Sequence, residues 1–352
     1  MKSKKIILTG GGTGGSVTPL LALVPYFQTE GWEVIWIGTR TGVEKKIVSD
    51  AKLPFYAIAS GKFRRYFSIK NFTDPILIII GFFQSLFLLL KLRADVVMSA
   101  GGFVSVPVVW AAWCLRIPIT IHQQDIRPGL ANRLMSVCAS VITVTFEKSL
   151  QDYKQKAVWV GNPVRPEFIK ALESGLRKQT ALPWLLILGG GTGSEALNEL
   201  VLASLPTLTK QFYVIHITGN KISEKDFSSI YNYEPHSFLP AEKIAETMRQ
   251  STLVITRAGL GTLTELSFLS KPTIIMPLPH SHQVDNAAYF QKNEAAIVLS
   301  QTDCSVEKFI QTIISMTEDA ALLEKLSLSI NRLIKPEAEK QIFTIVHDLI
   351  RR

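Results

Sequence analysis

Cysteine is scarce. Cys114, Cys138 and Cys304 are far apart, odd in number and without metal-ligand spacing, which argues against a disulfide framework and a zinc site. A reducing cytoplasm fits that usage. No Asp-x-Asp pair occurs anywhere in the chain, so a metal held on such a motif is not expected. A signal-peptide core is also lacking: after Lys2, Lys4 and Lys5 the apolar run is only Ile6 to Leu8 before glycines begin, which reads as a first strand. What is present is a globular balance, 47% apolar and 19% charged, in 352 residues, enough for two domains each with its own core. The 38 basic and 29 acidic residues leave a net charge of +9, which suits an anionic partner. A nucleotide and a phospholipid surface both answer to that. Nucleic acid is not expected, because the charge is scattered and no recognition module is found.

Apolar runs of strand length alternate with helix-length segments: "KKIILTG", "EVIWIG", "ADVVMSA", "PITIHQQ" and "SVITVTF", then "WLLILG", "FYVIHITG", "TLVITRAG" and "PTIIMPL". Runs without polar alternation mark strands buried on both faces, and intervening helices mark a parallel sheet. The expected fold class is therefore α/β, with doubly wound sheets. The pentapeptide GGGTG follows a strand at Gly10 and again at Gly189, about a domain's length apart, so two Rossmann-like domains are expected. Their boundary falls near "VGNPVRPEF", Val160 to Phe168, giving domains of 1–162 and 163–352, with the last helix able to pack back on the first.

Gly10, Gly12 and Gly15 satisfy G-x-G-x-x-G, a pattern that is weak by itself. An NAD site also wants a carboxylate at the end of the second strand, and here that strand runs into Arg40. NAD is disfavoured; NADP, and tight turns holding no ligand, stay open. A third glycine pair, Gly101 and Gly102, again follows a strand directly. Three such turns at strand ends favour a phosphate-rich ligand, since the backbone can approach it and the next helix offers free N–H groups.

The segments "TGGGTGGSVTPLLAL", "SAGGFVSVPVVWAAW", "IPITIHQQDIRPGLANR", "VGNPVRPEF", "LGGGTGSEALN" and "TRAGLGTLTELSFLSKPTIIMPLPHSHQVDNAAYF" resemble, in that order, the motifs of the MurG family, and they span nearly the whole chain. The resemblance implies two Rossmann-like domains facing a cleft, the GT-B fold. It also implies inverting transfer of N-acetylglucosamine from UDP-GlcNAc to a lipid-linked muramoyl-pentapeptide, with the acceptor on the N-terminal side and UDP-GlcNAc on the C-terminal side. It implies no required cofactor and leaves assistance by a divalent ion open.

On physical grounds Gly259 and Gly261 open a helix that can face a diphosphate, and Glu265 follows within about a turn. By resemblance Glu265 holds the ribose hydroxyls; otherwise it complements the helix dipole. Arg165 matches a hinge arginine that meets the nucleotide, and a plain hinge salt bridge is the alternative. Gln283 and Asn286 match amides that hold sugar hydroxyls, while Gly190, Gly191 and Thr192 match the second glycine loop, where the family commonly has serine at the position of Gly191. Thr13, Gly14 and Gly15 join the UDP-GlcNAc set, and Gly101, Gly102, Phe103 and Asp125 form the acceptor set.

Two departures bear on catalysis. The first loop of the family ends in histidine, and here Ser16 stands there; an ordinary hydroxyl cannot take a proton near neutral pH as an imidazole can. The family's "HEQN" reads "HQQD", so the usual acid becomes Gln123 and the usual amide becomes Asp125. Asp125 is the leading substitute base and His122 the second, with Ser16 left to bind an acceptor diphosphate. A capping role for Asp125 stays open. So do another lipid acceptor, a UDP-sugar epimerase, and a catalytically weakened UDP-sugar or lipid-binding protein.

"PILIIIGFFQSLFLLL", Pro75 to Leu90, is shorter than the roughly 20 residues of a spanning helix yet apolar nearly all round. Lys62, Arg64, Arg65 and Lys70 precede it, and Lys91 and Arg93 follow. Docking of the 62–93 region on an anionic membrane is expected in preference to full burial, placing the protein on the inner face of the cell membrane.

Overall fold

The computed structural model describes residues 3–61, 70–174, 181–190, 193–219, 227 and 230–351, with side chains in the 70–92 helix from 74 onward. Gly191, Thr192, Lys62, Arg64 and Arg65 lie outside the described residues, as does the side chain of Lys70. The chain forms two compact units, Met1–Pro163 with Lys335–Arg352, and Val164–Ile334.

The first unit is built on β1 (Lys5–Thr9), α1 (Thr18–Thr29), β2 (Glu33–Thr39), α2 (Val43–Asp50), β3 (Phe55–Ile58), α3 (Lys70–Leu92), β4 (Val96–Ser99), α4 (Ser105–Cys114), β5 (Ile119–Gln123), α5 (Leu130–Ser136), β6 (Val141–Val144), the single turn α6 (Leu150–Tyr153) and β7 (Ala157–Trp159). The second carries α7 (Pro166–Glu173), β8 (Trp184–Leu188), α8 (Glu195–Leu208), β9 (Tyr213–Ile217), β10 (Tyr233–His236), α9 (Ala241–Gln250), β11 (Leu253–Thr256), α10 (Leu260–Phe268), β12 (Thr273–Ile275), α11 (His282–Lys292), β13 (Ile297–Val298), α12 (Val306–Glu318) and α13 (Ala320–Leu333). The closing helix α14 (Ala338–Leu349) returns to the first unit.

Among the described residues, the first sheet runs β3-β2-β1-β4-β5-β6-β7 and the second β10-β9-β8-β11-β12-β13. Every pairing is parallel, for example Ile7↔Ile35 and Ile7↔Val97 around β1, and Ile187↔Ile255 beside β8. Ile6, Ile7 and Leu8 are fully buried because helices cover both faces, so none of the three can be polar. Both orders reverse at the first strand of the unit, between β1 and β4 and between β8 and β11. Crevices of α/β proteins open beyond the carboxyl ends of such strands.

Helix α14 packs on α1 through its apolar stripe. Ile342 and Val346 join Leu20, Leu23 and Phe27 in one buried cluster, and the Phe343 ring lies 5.3 Å from Phe27 and 5.9 Å from Trp32. Each fully buried aliphatic side chain of that kind contributes roughly 1.5–3 kcal/mol. The chain re-enters beside Gly161, at φ +88, where a Cβ would sit 1.9 Å from the Lys335 carbonyl oxygen. Glycine is required there.

Candidate functional site

In the first unit the loops after β1, β4 and β5 are stitched together. A Cβ on Gly102 would lie 2.3 Å from the Gly11 oxygen, so the first and third glycine turns touch backbone to backbone; Gly12, at φ +88, would strike the Phe103 ring at 2.8 Å. The Gln124 Nε2 donates to the Gly15 oxygen at 2.9 Å, bringing the segment after β5 onto the same loop. Thr13, Gly14, Gly15, Ser16, Gly101, Gly102, Phe103 and Asp125 therefore belong to one constellation of neighbouring loops at one sheet edge.

Within it, side chains differ from their expected parts. The Ser16 hydroxyl is buried and lies 3.1 Å from the Gly11 oxygen and 3.2 Å from the Thr13 oxygen, so its proton is directed into the loop that carries it. His122 does not reach the surface at all. It is fully buried, and its Nε2–H donates to the Asn162 Oδ1 at 2.7 Å, leaving Nδ1 to accept from the Thr143 hydroxyl at 3.0 Å. Burial lowers its pKa to about 4, against the opposing bond to Asn162. A neutral, fully engaged imidazole away from solvent is not placed to take a substrate proton. Asp125 is half-buried on the loop leaving β5.

Glu44 was not singled out from sequence, yet it shapes the first loop. Its carboxylate is fully buried and accepts from the Gly12 amide at 3.2 Å, the Thr39 amide at 2.9 Å and the Thr39 hydroxyl. Cβ atoms on Gly11 or Gly42 would overlap that carboxylate, at 2.6 and 2.1 Å. The Gly12 N–H is therefore spent on Glu44, and a bound anion has to use other donors. The signal available in sequence was the set of glycines flanking the first two strands, whose packing partner only the fold reveals.

In the second unit the matching loops follow β8, β11 and β12. The Arg165 Nε donates to the Glu265 Oε1 at 2.5 Å, and the guanidinium stacks over the Phe168 ring, 4.8 Å from its centroid. Glu265 sits on α10, 4% exposed. Burial, the largest influence, raises its carboxyl above the usual range, and the charge and hydrogen bond of Arg165 pull the other way. Among the described residues, a Cβ at Gly190, Gly259 or Gly261 would meet nothing within 4 Å, so backbone lies open around the end of β8 and the start of α10. Asn286 is buried on α11 and donates to the Ala258 oxygen at 3.2 Å, while the Gln283 Oε1 accepts from the Leu278 amide at 3.0 Å. Asn286 thus braces the segment before Gly259, and Gln283 the loop after β12.

Arg257 is a further residue that sequence reasoning passed over. It is buried at the end of β11, its Nη2 donates to the Ser194 hydroxyl that caps α8, and its Nη1 has no partner among the described residues. Burial lowers its pKa. Among the described residues no carboxylate pairs with this buried guanidinium, and such a group beside a helix N-terminus is suited to an anion.

On α3, the exposed residues Ile76, Ile79, Ile80, Phe83, Phe87 and Leu90 recur at helical spacing and form one apolar face. The other face is packed: Phe82, Leu86 and Leu89 join the core with residues of α4. By length and composition the Asp74–Leu92 stretch is apolar enough to cross a membrane, with 17% of it buried. Lys91 lies over the Phe87 ring, and Arg93 is exposed one turn-end later.

Comparison with known proteins matches two family models to the chain. Residues 6–144 match the glycosyltransferase family 28 N-terminal domain and residues 184–342 the glycosyltransferase family 28 C-terminal domain. The chain is 42% identical over 309 residues to the Clostridium kluyveri UDP-N-acetylglucosamine--N-acetylmuramyl-(pentapeptide) pyrophosphoryl-undecaprenol N-acetylglucosamine transferase, covering 85% of this chain and 87% of that one. A Clostridium botulinum protein of the same name is 36% identical over 358 residues, covering 99% of each. Among solved structures, that of Acinetobacter baumannii MurG superposes with a TM-score of 0.77 at 25% identity, over 98% of this chain and 99% of that one.

Proposed function

The chain belongs to glycosyltransferase family 28, and on that premise we propose that it transfers N-acetylglucosamine, with inversion, from UDP-GlcNAc to a lipid-linked muramoyl-pentapeptide. The observation that carries this reading is Glu265: a buried carboxylate on the second turn of α10, steadied on one oxygen by Arg165, in a helix opened by Gly259 and Gly261. Such a carboxylate accepts from the paired hydroxyls of a ribose. The N-termini of α8 and α10, with Arg257 and Arg165, then receive the diphosphate and stabilise the charge that develops as UDP leaves. Gln283, Asn286 and the Gly190 turn hold the sugar.

On the acceptor side, the loops after β1, β4 and β5 hold the pyrophosphate-linked sugar, and Asp125 removes the proton of the attacking hydroxyl. Ser16 shapes its loop through the Gly11 and Thr13 oxygens in place of binding the acceptor diphosphate, and His122 positions the strand below. The apolar face of α3, flanked by Lys91 and Arg93, rests in the interface of an anionic membrane, where a lipid-linked acceptor resides.

Incubation with radiolabelled UDP-GlcNAc and a short-chain lipid-linked muramoyl-pentapeptide tests the proposal. Labelled disaccharide-lipid is the expected product. Firm UDP-GlcNAc binding with no product from a complete acceptor would replace it with a silent binding protein.

A further inference from the structure

Gln123, at the end of β5, has every hydrogen-bonding position of its side chain filled. Its Nε2 donates to the carbonyl oxygens of Asp125 at 2.7 Å and Arg127 at 3.2 Å. Its Oε1 accepts from the Asn132 Nδ2 at 2.6 Å and the Tyr153 hydroxyl at 3.0 Å. The side chain is 1% exposed, so no water can substitute for any of these partners. An amide owns two donors and two acceptor lone pairs, and all four are matched here.

The pattern selects the residue type. Two of the partners are carbonyl oxygens, which only a donor can satisfy, and both belong to the turn that carries Asp125. A carboxylate of the same length could accept from Asn132 and Tyr153, but its second oxygen would then face two carbonyl oxygens in a dry site. A proton on that oxygen would restore only one of the two bonds. The next residue extends the arrangement: the Gln124 Nε2 donates to the Gly15 oxygen at 2.9 Å and sits 3.5 Å from the Ala100 oxygen, tying the base of the turn to the loops after β1 and β4.

We infer that Gln123 is a positioning residue, an uncharged lock whose amide holds the 125–127 turn and so presents Asp125 to the acceptor in the same place at every pH. The inference rests on the reading of Asp125 as the acceptor-side base. It also accounts for the acid standing at 125 and the amide at 123: the buried position needs donors, and the half-buried one can carry charge. The titratable and charged groups around Gln123 are Tyr153 and Asp152 from α6, Arg133 from α5, and His122, Asp125 and Arg127 of its own segment.

Gln123→Glu in the full chain tests this by two readouts. The first needs no turnover: backbone hydrogen exchange of residues 124–129, followed from pH 6 to 8.5. As a ratio to wild type at the same pH, exchange is expected to be only severalfold faster at the acid end, where the protonated carboxyl keeps one of the two bonds to the turn, and roughly tenfold or more faster again towards the alkaline end as the second is lost. The second is kcat, expected to fall over the same pH range while the KM for UDP-GlcNAc stays at its wild-type value. Exchange and kcat profiles that superimpose on wild type across the range would overturn the inference. Should Gln123→Glu not fold, Tyr153→Phe removes one anchor of the amide oxygen while keeping the ring. Severalfold faster exchange confined to 124–129 is expected, and unchanged exchange there would overturn the lock. A wild-type chain that makes no product ends the transferase reading alone, because the exchange result stands without it.

Discussion

Glu265 and Arg165 stand a hundred positions apart in the chain and meet at 2.5 Å, the carboxylate nearly dry and the guanidinium partly wet. Neither charge is independent of the other. Removing one member of a buried pair costs about 3–5 kcal/mol where the survivor stays buried, and here the survivor of an Arg165 substitution is Glu265.

Arg165→Ala is therefore expected to leave a carboxyl whose pKa, already raised by burial, rises further. An acid with a raised pKa in the folded state favours folding at low pH and opposes it as pH climbs through that value. The melting temperature of Arg165→Ala should fall away from wild type as pH is raised from about 4.5 upward, and UDP should bind the variant better at pH 8 than at pH 6. Melting curves and calorimetry across that range check both; a gap that is constant with pH contradicts the coupling.

Glu44 predicts a defect confined to the acceptor side. Glu44→Ala strands the buried amide and hydroxyl of Thr39 and frees the part-buried Gly12 amide, an expected loss of about 2–4 kcal/mol, equal to a melting shift on the order of 4–15 °C. Acceptor KM should rise with little change in UDP-GlcNAc affinity. Equal damage to both affinities would show that Glu44 supports the fold without shaping the loop.

The buried histidines set an acid limit. His122 and His216 are held at about 4 in place of 6.5, both chiefly by burial. A depressed pKa contributes stability that is complete above the unfolded value and is lost as pH falls through the folded one. Each should cost on the order of 2–3 kcal/mol between pH 7 and pH 4. Urea unfolding of wild type beside His122→Gln measures the slope; identical slopes would remove His122 from the account.

The α3 face predicts a separable membrane defect. Phe83→Glu with Phe87→Glu places charge where apolar rings stand 63% and 64% exposed. Sedimentation with vesicles rich in anionic lipid should drop at least tenfold, while transfer to a short-chain, detergent-soluble acceptor stays within about twofold. Undiminished vesicle binding would assign the docking to another surface.

The sheet centres were legible because strands covered on both faces admit only apolar residues, as in "KKIILTG" and "WLLILG". The strands with no such signal are β3, β7, β10 and β13, and all four lie at sheet edges. An edge strand is short and half-solvated, so "YEPH" is largely polar and "AVW", though apolar, is too short to stand out as a run. Glycine turns were legible for the same kind of reason, since few residues tolerate φ near +90 or backbone at van der Waals distance. Partnerships across the fold were not. Glu44 under Gly11 and Gly42, Gln123 between two carbonyls, and Arg257 against Ser194 each join segments whose meeting depends on the sheet order. His122 looked available in the string "HQQD", and only the side-chain alternation of β5 turned it inward to Asn162.

The most direct measurement is steady-state transfer of labelled GlcNAc to a short-chain lipid-linked acceptor by wild type and Asp125→Asn, with UDP-GlcNAc affinity taken on the same preparations. A general base is worth about 10²–10⁴ in rate. Product from wild type, a fall in kcat of at least ~100-fold in Asp125→Asn and an unchanged donor affinity are the expected results. Turnover by Asp125→Asn at the wild-type rate would place the base elsewhere and contradict the assignment of the acceptor side.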